Sequence, residues 1–451
     1  MLIFKKRKMK KIILIVFSSM LFITACEDLD QAPDNIASSN SLSNFTAVLN
    51  AAYYYQQGAA TPMAVMGDFR SDNMEMREAP YTDFHTYNNN ITSTMTDQFF
   101  APIYRNLYKS ILSSNNVITN SVDDLQVGEA KFLRALSYFK LVLVFGDVPV
   151  NLSATPDVND TSILVRQPKL DVYNTVIIPD LMDAIAVLDN SAFSNGLSGE
   201  YDGRASQLAA EALLGKVYAA MGNYGNAETY LSNAISAAAG AGVTLETSFA
   251  NVIEEGSSEI IFATKLTPTI DDEYDASEFS VWFNGTEDKA LLPLNPSLVT
   301  AFDNAGDTSR KALSIDDSPT EMKSVKYPAG LESDWVEIRL SDVILLHAEA
   351  MNENNSDTAA NILTTLDPIR TRAGLGSLSG TATTQADVKQ AILDERRLEL
   401  AFEGQRWFDL VRTGTVDAEM GETINNNYYV FPIPNSEILA TGGVITQNPG
   451  Y

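Results

Sequence analysis

Residues 204–239, RASQLAAEALLGKVYAAMGNYGNAETYLSNAISAAA, decide the fold through their spacing of small and large apolar side chains. The packing positions are Leu214, Gly215, Tyr218, Ala227, Leu231 and Ala234. Their spacing matches that of a tetratricopeptide repeat, in which two antiparallel helices meet at a small residue. Residues 221–224 supply the turn between the helices. Such pairs bury their faces only by stacking on neighbouring pairs, so the segment predicts part of an α-solenoid.

Helical periodicity continues on the N-terminal side of this segment. Phe132, Ala135 and Phe139 fall on one face of a helix that runs from about residue 129 to residue 145. A glycine and then a proline in residues 146–149 end that helix, because the first is flexible and the second cannot continue it. The sequence therefore predicts a second long helix with an abrupt C-terminus.

Further helix pairs complete the predicted solenoid. The helix ending near residue 145 is able to pair with residues 170–188, and a weaker copy of the repeat lies within residues 339–366. We expect the repeat-like pairs within about residues 98–240 and 338–415. Residues 26–451 are predicted to form a single body, mainly α-helical, in which these pairs pack against a more irregular half.

Two segments have a composition typical of long functional loops. Residues 53–95 and 265–296 mix aromatic residues with glycine, proline, asparagine and aspartate. Long irregular segments inside a folded protein usually carry function. Residues 260–263 and 428–431 are predicted as short strands bounded by loop residues. The two irregular segments are therefore the predicted ligand face.

The N-terminus has the pattern of a secreted lipoprotein. Basic residues within positions 5–11 precede an apolar run from Ile12 to Ile23. As a helix this run reaches only about 18 Å, which is too short to cross a membrane. Residues 1–25 are therefore predicted to be a signal peptide. The sole cysteine, Cys26, follows at a site that resembles a lipobox, which implies acylation of its thiol.

The charge of the chain excludes one class of partner. The chain holds 31 basic and 58 acidic residues, a formal net charge of −27, and the predicted leader contains six of the basic residues and no acidic ones. A surface this acidic repels phosphate backbones, so nucleic-acid binding is excluded. A neutral oligosaccharide meets no such penalty.

Several motifs, taken in order, resemble the SusD/RagB-like outer-membrane nutrient-binding lipoproteins. The strongest is ERRLELAFEGQRWFDLVR at residues 395–412. The others are CEDLD at 26–30, EAKFLRA at 129–135, FGDVP at 145–149, IRLSDV at 338–343, IRTRAG at 369–374, PIP at 432–434 and QNPGY at 447–451. Together they span nearly the whole chain after the leader.

The resemblance implies a cell-surface protein, lipid-anchored in the outer membrane, with four repeat-type helix pairs behind an irregular ligand face. Such proteins capture oligosaccharides without catalysis and deliver them to a SusC-type TonB-dependent transporter, on which they sit as a lid. Some relatives of the RagB type capture peptides instead. Peptide capture therefore remains an alternative, and a surface glycoside hydrolase remains a more distant one.

The density of carboxylates in residues 394–412 raises the question of a glycosidase acid/base pair. Arg396 and Glu399 are three residues apart, as are Glu403 and Arg406. Ion pairing along a helix explains both spacings. We therefore interpret this motif as scaffold, not as a catalytic site.

Neither a metal site nor a cofactor site is predicted. His85 and His347 have no second nitrogen or thiolate ligand at helical or turn spacing, so a zinc site is not expected. The acidic residues 271–273 lack the spacing of a known calcium loop and are interpreted as a solvated loop. The chain has no phosphate-binding loop, nucleophile elbow or metal-binding helix motif.

The tryptophans suggest where a sugar ring could stack. The C–H face of a sugar packs on the face of an aromatic ring. Trp335 and Trp407 belong to predicted scaffold segments, whereas Trp282 lies in an irregular, acidic stretch. Trp282 is therefore the predicted stacking residue.

A second group of candidates lies in the first irregular segment. Sugar hydroxyls need directed donors and acceptors, which Asp72, Asn73 and Asn88 would provide. By resemblance, this position after the first helix is where the family places polar sugar contacts. The further aromatic candidates there are Tyr81, His85 and Tyr87.

Overall fold

The computed structural model describes residues 45–157, 159–191, 203–266, 278–285, 291–328 and 333–451. The predicted leader, Cys26 and the acidic residues 271–273 lie outside these ranges. No helix in the described ranges is long and apolar enough to cross a lipid bilayer.

Helices supply most of the regular structure in this part of the chain, which confirms the mainly α fold class. The α-helices are α1 Thr46–Gln57, α2 Ala60–Ala64, α3 Ser93–Met95, α4 Ala101–Asn120, α5 Asp124–Phe145, α6 Lys169–Val172, α7 Ile178–Val187, α8 Gln207–Ala220, α9 Tyr224–Ala241, α10 Glu278–Asn284, α11 Pro296–Ala305, α12 Thr308–Ser314, α13 Leu340–Asn354, α14 Ala359–Thr364, α15 Asp367–Arg372, α16 Gln385–Glu399, α17 Arg406–Thr413, α18 Val416–Met420 and α19 Asn435–Ala440. The π-helical turns are Val65–Phe69, Thr96–Phe100 and Tyr173–Ile177, and the 3-10 helices are Thr82–His85, Thr161–Leu164, Phe249–Asn251 and Asn426–Tyr429.

Strands in the described residues are short and pair two at a time, all antiparallel. They are β1 Val148–Pro149, β2 Arg166–Gln167, β3 Ile260–Thr264, β4 Ile315–Asp316, β5 Lys323–Ser324 and β6 Trp335–Arg339. β1 pairs with β2, β4 with β5, and β3 with β6, the last with Ile260 opposite Arg339. β3 confirms the strand predicted at residues 260–263, and β6 leads directly into α13.

The long helices pack on one another in a continuous row. α1 packs on α4, α4 on α5, α5 on α7, α7 on α8, α8 on α9, α9 on α13, and α13 on α16. The α8–α9 pair depends on Gly215, because a Cβ there would lie 2.6 Å from the Leu231 side chain. Two helices can approach this closely only at a small residue. The row is therefore continuous from the first described helix to the C-terminal motif.

Helix α5 ends where its sequence requires. Its last residue is Phe145, and Gly146 then takes a φ of 72°, a conformation that favours glycine. At the other end, the Asp123 side chain accepts from the Leu125 amide. Against α7, Arg134 makes a buried ion pair with Asp180 at 2.7 Å. This contact fixes the partner that the sequence assigned to α5.

Two local predictions are wrong. The first irregular segment begins later than expected, because residues 53–57 belong to α1 and residues 60–69 are helical and buried. Pro62 does not prevent this, since in the first turn its missing N–H has no helical partner to lose. Residues 428–431 are not a strand: the Asn425 side chain caps a 3-10 helix by accepting from the Asn427 amide at 2.9 Å.

Candidate ligand-binding face

The two segments predicted to form the ligand face meet in the structure. The Glu75 amide donates to the Pro293 carbonyl at 2.7 Å, and the Asn295 amide donates to the Asn73 carbonyl at 3.0 Å. The Leu291 amide donates to the Glu78 carboxylate at 3.1 Å. We call residues 75–98 together with residues 291–295 the loop face. These contacts hold the two parts of the loop face side by side.

Trp282 lies beneath the loop face and not on it. The residue is fully buried on α10. Its ring meets Tyr81 edge-to-face at 5.1 Å between centroids and Phe99 at 5.2 Å. A ring without an exposed face cannot stack on a sugar, so the expectation that Trp282 contacts the ligand does not agree with its position. The apolar neighbours of Trp282 along α10 explain its burial.

Tyr81 is the outer ring of this aromatic group. It is partly exposed and lies against the buried Trp282 and Phe99 rings. Its hydroxyl donates to the Gln98 side chain, which restricts rotation of the ring plane. Packing on two rings below and a hydrogen bond at its tip leave Tyr81 as a pre-positioned aromatic surface.

Asp72 and Asn73 are buried and hold the C-terminal motif, so they are not surface contacts. Asp72 accepts from Arg406 at 2.8 and 2.9 Å and pairs with Arg397 at 2.9 Å. Burial would raise the pKa of Asp72, but these arginines outweigh burial and lower it. Asn73 donates to Asp68 at 2.9 Å and accepts from Arg397 at 3.1 Å. Both side chains are fully engaged by protein groups, contrary to the prediction that they meet sugar hydroxyls.

His85 and Tyr87 are also engaged from within. The His85 Nε2 lies 3.0 Å from the Met74 carbonyl, and burial, with the charge of Arg70, lowers the pKa of His85 to about 4. The ring is therefore neutral and donates to that carbonyl. The Tyr87 hydroxyl donates to the Arg70 carbonyl at 2.7 Å, and its ring stacks on Trp407 at 5.7 Å. Both side chains therefore hold the loop face in place from within.

The Arg70 side chain lies at the centre of this support. Its guanidinium is fully buried and lies 4.3 Å from the Tyr87 ring centroid. It donates to the Phe84 carbonyl and, at 3.3 Å, to the Tyr428 carbonyl. Burial lowers the pKa of Arg70. Ring faces and carbonyl oxygens stabilise this cation, so Arg70 links residues 84–87 to the C-terminal segment.

Asn88 remains at the surface. It is partly exposed, and its Oδ1 accepts from the Asn90 amide at 2.8 Å. Of the predicted site residues, Tyr81, His85 and Asn88 are partly exposed, and the His85 Nε2 is committed to the Met74 carbonyl. Tyr81 and Asn88 therefore remain as candidates for direct ligand contact on the loop face.

The C-terminal motif forms a buried cluster of ion pairs. We call it the charge cluster: Glu259, Arg310, Lys326, Arg339, Arg372, Glu395, Glu399 and Glu403. Arg339 donates to Glu259 at 2.6 Å, to Glu399 at 2.7 Å and to Glu403 at 2.8 and 2.9 Å. All three carboxylates are buried. The cluster thus joins β3, β6 and the end of α16.

The predicted pairing along the helix is wrong in detail. Arg396 pairs with Asp342 at 2.8 Å and with Asp409 at 3.1 Å, while Glu399 serves Arg310, Arg339 and Arg372. Arg396 and Glu399 each bond to side chains on other elements, because a buried charge needs more bonds than one neighbour along the helix supplies. The interpretation of the motif as scaffold agrees with these contacts.

Comparison with known families agrees with this architecture. A family model described as "SusD family" matches residues 306–451. A second, described as "Starch-binding associating with outer membrane", matches residues 22–219. Between them the two models match most of the chain, so the chain resembles the SusD family along most of its length. The second description names starch binding and association with the outer membrane.

Individual relatives share this length and fold. SusD-like protein P2 of Formosa agariphila is 24% identical over 98% of this chain and 100% of its own. A structure described as a laminarin binding SusD-like protein is 24% identical, covers 90% of this chain and 99% of its own, and has a TM-score of 0.71. Surface glycan-binding protein A from Bacteroides fluxus is 19% identical, covers 92% and 100%, and has a TM-score of 0.73. At such identities the structures establish a shared fold.

Glu399 and Asp68, two buried carboxylates at the C-terminal motif, are poorly suited to acid/base chemistry. Burial would raise the pKa of Glu399, but the charges of Arg339, Arg372 and Arg310 hold it well below its usual range. A general acid needs the opposite shift. Burial raises the pKa of Asp68 to about 6, yet its oxygens accept from the Phe402 and Gly404 amides and from Asn73. Among the described residues, no group of three or more His, Cys, Asp or Glu could hold a metal.

Sequence reasoning missed the group that supports Tyr81. Phe99 and Gln98 fix the ring and its hydroxyl, and both lie on a π-helical turn just before α4. The signal was the run of apolar and aromatic residues at 99–101, which follows directly after the loop. That run indicates a buried helix start against which a nearby aromatic residue can pack.

Proposed function

We propose that this SusD-like protein binds oligosaccharides reversibly on the loop face and delivers them, without catalysis, to a SusC-type TonB-dependent transporter. The observation that carries the proposal is Tyr81, a partly exposed ring fixed on the buried Trp282 and Phe99. The laminarin-binding and glycan-binding relatives support glycan as the ligand class.

Tyr81 and the exposed polar residues of the loop face suit a neutral sugar. The ring offers a stacking surface for the C–H face of a pyranose. Asn88 and the exposed Asn89 offer amide donors and acceptors for hydroxyls, and exposed Arg77 offers further donors while paired with Glu75 at 3.1 Å. In this proposal the remaining predicted site residues act indirectly, by holding the loop face in place. They are Asp72, Asn73, His85, Tyr87 and Trp282.

The proposed location rests on the N-terminal pattern, which predicts a lipid anchor, and on the family resemblance, which implies the outer surface of the outer membrane. Acylation of Cys26 after removal of residues 1–25 would hold the protein at the outer surface of the outer membrane. The acidic chain favours uncharged ligands over nucleic acids or anionic polymers. Membrane fractionation with metabolic labelling by a fatty acid, compared between the natural chain and Cys26→Ala, tests this part of the proposal.

The binding proposal is tested by isothermal titration with a panel of neutral oligosaccharides that includes laminarin fragments. Tyr81→Ala removes the stacking surface and should weaken binding about tenfold. Tyr230→Ala is the matched control, because Tyr230 is also partly exposed and stacks on another ring, Tyr218, at 5.7 Å. Equal affinity of Tyr81→Ala and the natural protein would overturn the assignment of the site.

The same preparation separates the two alternatives. A mixed peptide panel in the calorimeter tests capture of the RagB type; peptide binding lost in Tyr81→Ala, with no glycan binding, would replace the glycan proposal. Incubation with polysaccharide followed by an assay for reducing ends tests hydrolysis, and we expect no new ends. Co-purification with a co-expressed transporter barrel tests the delivery step.

A further inference from the structure

A segment near the C-terminus has the same side-chain chemistry as part of the loop face. Residues 425–429 read NNNYY, and residues 87–90 of the loop face read YNNN. The three asparagines at 425–427 are exposed, and Tyr428 and Tyr429 are partly exposed. Amide groups bond to sugar hydroxyls, and aromatic rings pack on the C–H face of a sugar. Residues 425–429, which we call the C-terminal platform, therefore offer the groups that a sugar needs.

The C-terminal platform adjoins the loop face through Trp407. The Trp407 ring stacks on Tyr87 of the loop face at 5.7 Å between centroids and meets Tyr429 of the platform edge-to-face at 6.3 Å. Its Nε1 also donates to the Tyr429 carbonyl at 3.2 Å. Arg70 makes a second link, since its guanidinium donates to one backbone carbonyl in each of the two surfaces. The platform and the loop face are therefore neighbours over one buried ring and one buried cation.

The platform is held in place before any ligand arrives. The Tyr428 hydroxyl donates to the Gly450 carbonyl at 3.3 Å, and its ring meets Tyr451 edge-to-face at 5.3 Å between centroids. The Tyr451 hydroxyl in turn donates to the Val430 carbonyl at 3.0 Å. These bonds tie the platform to the end of the chain. Because its backbone is already ordered, binding a ligand there costs little conformational entropy.

Tyr429 is the platform ring that lies next to the loop face. Its contact with Trp407 has 85° between the ring planes, so this contact covers at most one face of the Tyr429 ring. The residue is partly exposed, and the exposed Asn426 and Asn427 precede it by two or three positions. Tyr429 therefore has the same combination as Tyr81, a supported ring with polar side chains close to it in the chain.

The charge of this part of the chain favours an uncharged ligand. Arg412 is the last basic residue, because residues 413–451 contain no lysine, arginine or histidine. The same stretch contains four acidic residues. An anionic sugar chain would meet repulsion from this stretch and would gain no counter-ion from it, whereas a neutral chain meets no such penalty.

We infer that the C-terminal platform is a second subsite of the binding surface, where Tyr429 stacks on one sugar ring while Tyr81 stacks on another ring of the same ligand. The inference rests on the proposed function, because it takes Tyr81 as a sugar contact. The ligand is then an uncharged oligosaccharide of several units and not a disaccharide. Two contacts along one ligand act together, so affinity rises with ligand length until both tyrosines are engaged.

The test is isothermal titration with three neutral series, β-1,3-glucans, α-1,4-glucans and β-1,4-mannans, each from two to six units long. In a series that binds the natural protein, the six-unit ligand should bind at least about tenfold more tightly than the two-unit ligand. Tyr429→Ala should remove most of this gain, and Asn426→Ala, at an exposed position, should remove part of it. The ratio of the two affinities is the readout, because general destabilisation of the protein would weaken both lengths alike.

Tyr230→Ala is again the matched control and should keep the natural ratio, and a thermal melt verifies that each variant folds. A natural ratio in both Tyr429→Ala and Asn426→Ala would overturn the inference. If Tyr81→Ala still weakened binding in that case, the proposed function would stand without the platform. Absence of binding in all three series would also overturn the inference, and the wider oligosaccharide panel would then decide the proposed function separately.

Discussion

The charge cluster and the loop face hold chain segments in place with opposite chemistry. In the charge cluster, each buried carboxylate pairs with two or more cations, and Glu399 pairs with three arginines. Beneath the loop face, the Trp282 and Phe99 rings pack edge-to-face under a single exposed ring, Tyr81. One region depends on complete pairing of charges, and the other on contact between apolar surfaces.

This difference indicates where a ligand-binding site should be sought in such a chain. The charge cluster contains the strongest sequence motif, yet its side chains are buried and engaged with one another. The loop face has a weak motif but carries the exposed groups that a ligand can reach. A strong motif therefore marks buried residues that hold the fold together. Ligand contacts are to be sought among the exposed residues outside it.

The largest expected effect is on the charge cluster. Arg339→Met removes the shared partner of Glu259, Glu399 and Glu403 and leaves three buried carboxylates with incomplete pairing. The free energy of unfolding should fall by about 3–5 kcal/mol, as is typical when one partner of a buried pair is removed. Urea denaturation followed by circular dichroism measures this loss.

The matched control is an arginine in an exposed pair. Arg105 lies 2.8 Å from Glu437, and its side chain is 53% exposed. Arg105→Met should change the free energy of unfolding by less than about 1 kcal/mol, because solvent screens such pairs. If the two variants lost similar stability, the charge cluster would have no special role.

The second effect concerns Asp68, which lies between the two regions. It accepts from Asn73, two residues before the loop face, and from the amide of Gly404, the residue after Glu403 of the charge cluster. Burial raises its pKa from 3.8 to about 6, so the protonated form favours the folded state. That contribution to stability is complete below about pH 4 and is lost as the pH rises through about 6.

Asp68→Asn removes this titration. The free energy of unfolding of the natural protein, relative to that of Asp68→Asn, should be higher at pH 4 than at pH 7 by about 2 kcal/mol, at about 1.4 kcal/mol per pKa unit. Denaturant midpoints measured in steps across that pH interval provide the check. A difference that stayed constant, or grew as the pH rose, would contradict the assignment.

The smallest effect tests the aromatic support. Trp282→Phe keeps an apolar ring but leaves space beneath Tyr81, so the free energy of unfolding should fall by about 1–2 kcal/mol. Oligosaccharide binding should weaken less than in Tyr81→Ala, because Trp282 acts through Tyr81. If Trp282→Phe weakened binding more than Tyr81→Ala, Trp282 would itself contact the ligand and the comparison would fail.

Local rules were sufficient for much of the fold. The period of apolar residues and the glycine at residue 146 predicted α5 and its end at Phe145, and the small residue Gly215 predicted the close approach of α8 and α9. These features depend on residues within one or two turns. Composition identified the two irregular segments, but nothing in their spacing predicted the backbone contacts between them.

The candidate site was harder to predict because its burial is set by distant residues. Trp282 was expected at the surface, but Phe69, Tyr81 and Phe99 cover it from about 200 residues earlier in the chain. Asp72 was expected to meet sugar hydroxyls, but its partner Arg406 lies 334 residues later. Composition shows that such side chains are polar or aromatic and does not show which of them the fold covers.

The bonds from Asp68 and Asp72 to the C-terminal motif also set an order of events during synthesis. A ribosome delivers these aspartates early, but the Gly404 amide and Arg406 emerge only near the end. Until then Asp68 and Asp72 lack their partners from the C-terminal motif, so the N-terminal part of the nascent chain cannot complete its fold. We therefore expect a chain truncated before residue 397 to have an unstable N-terminal half that proteases degrade.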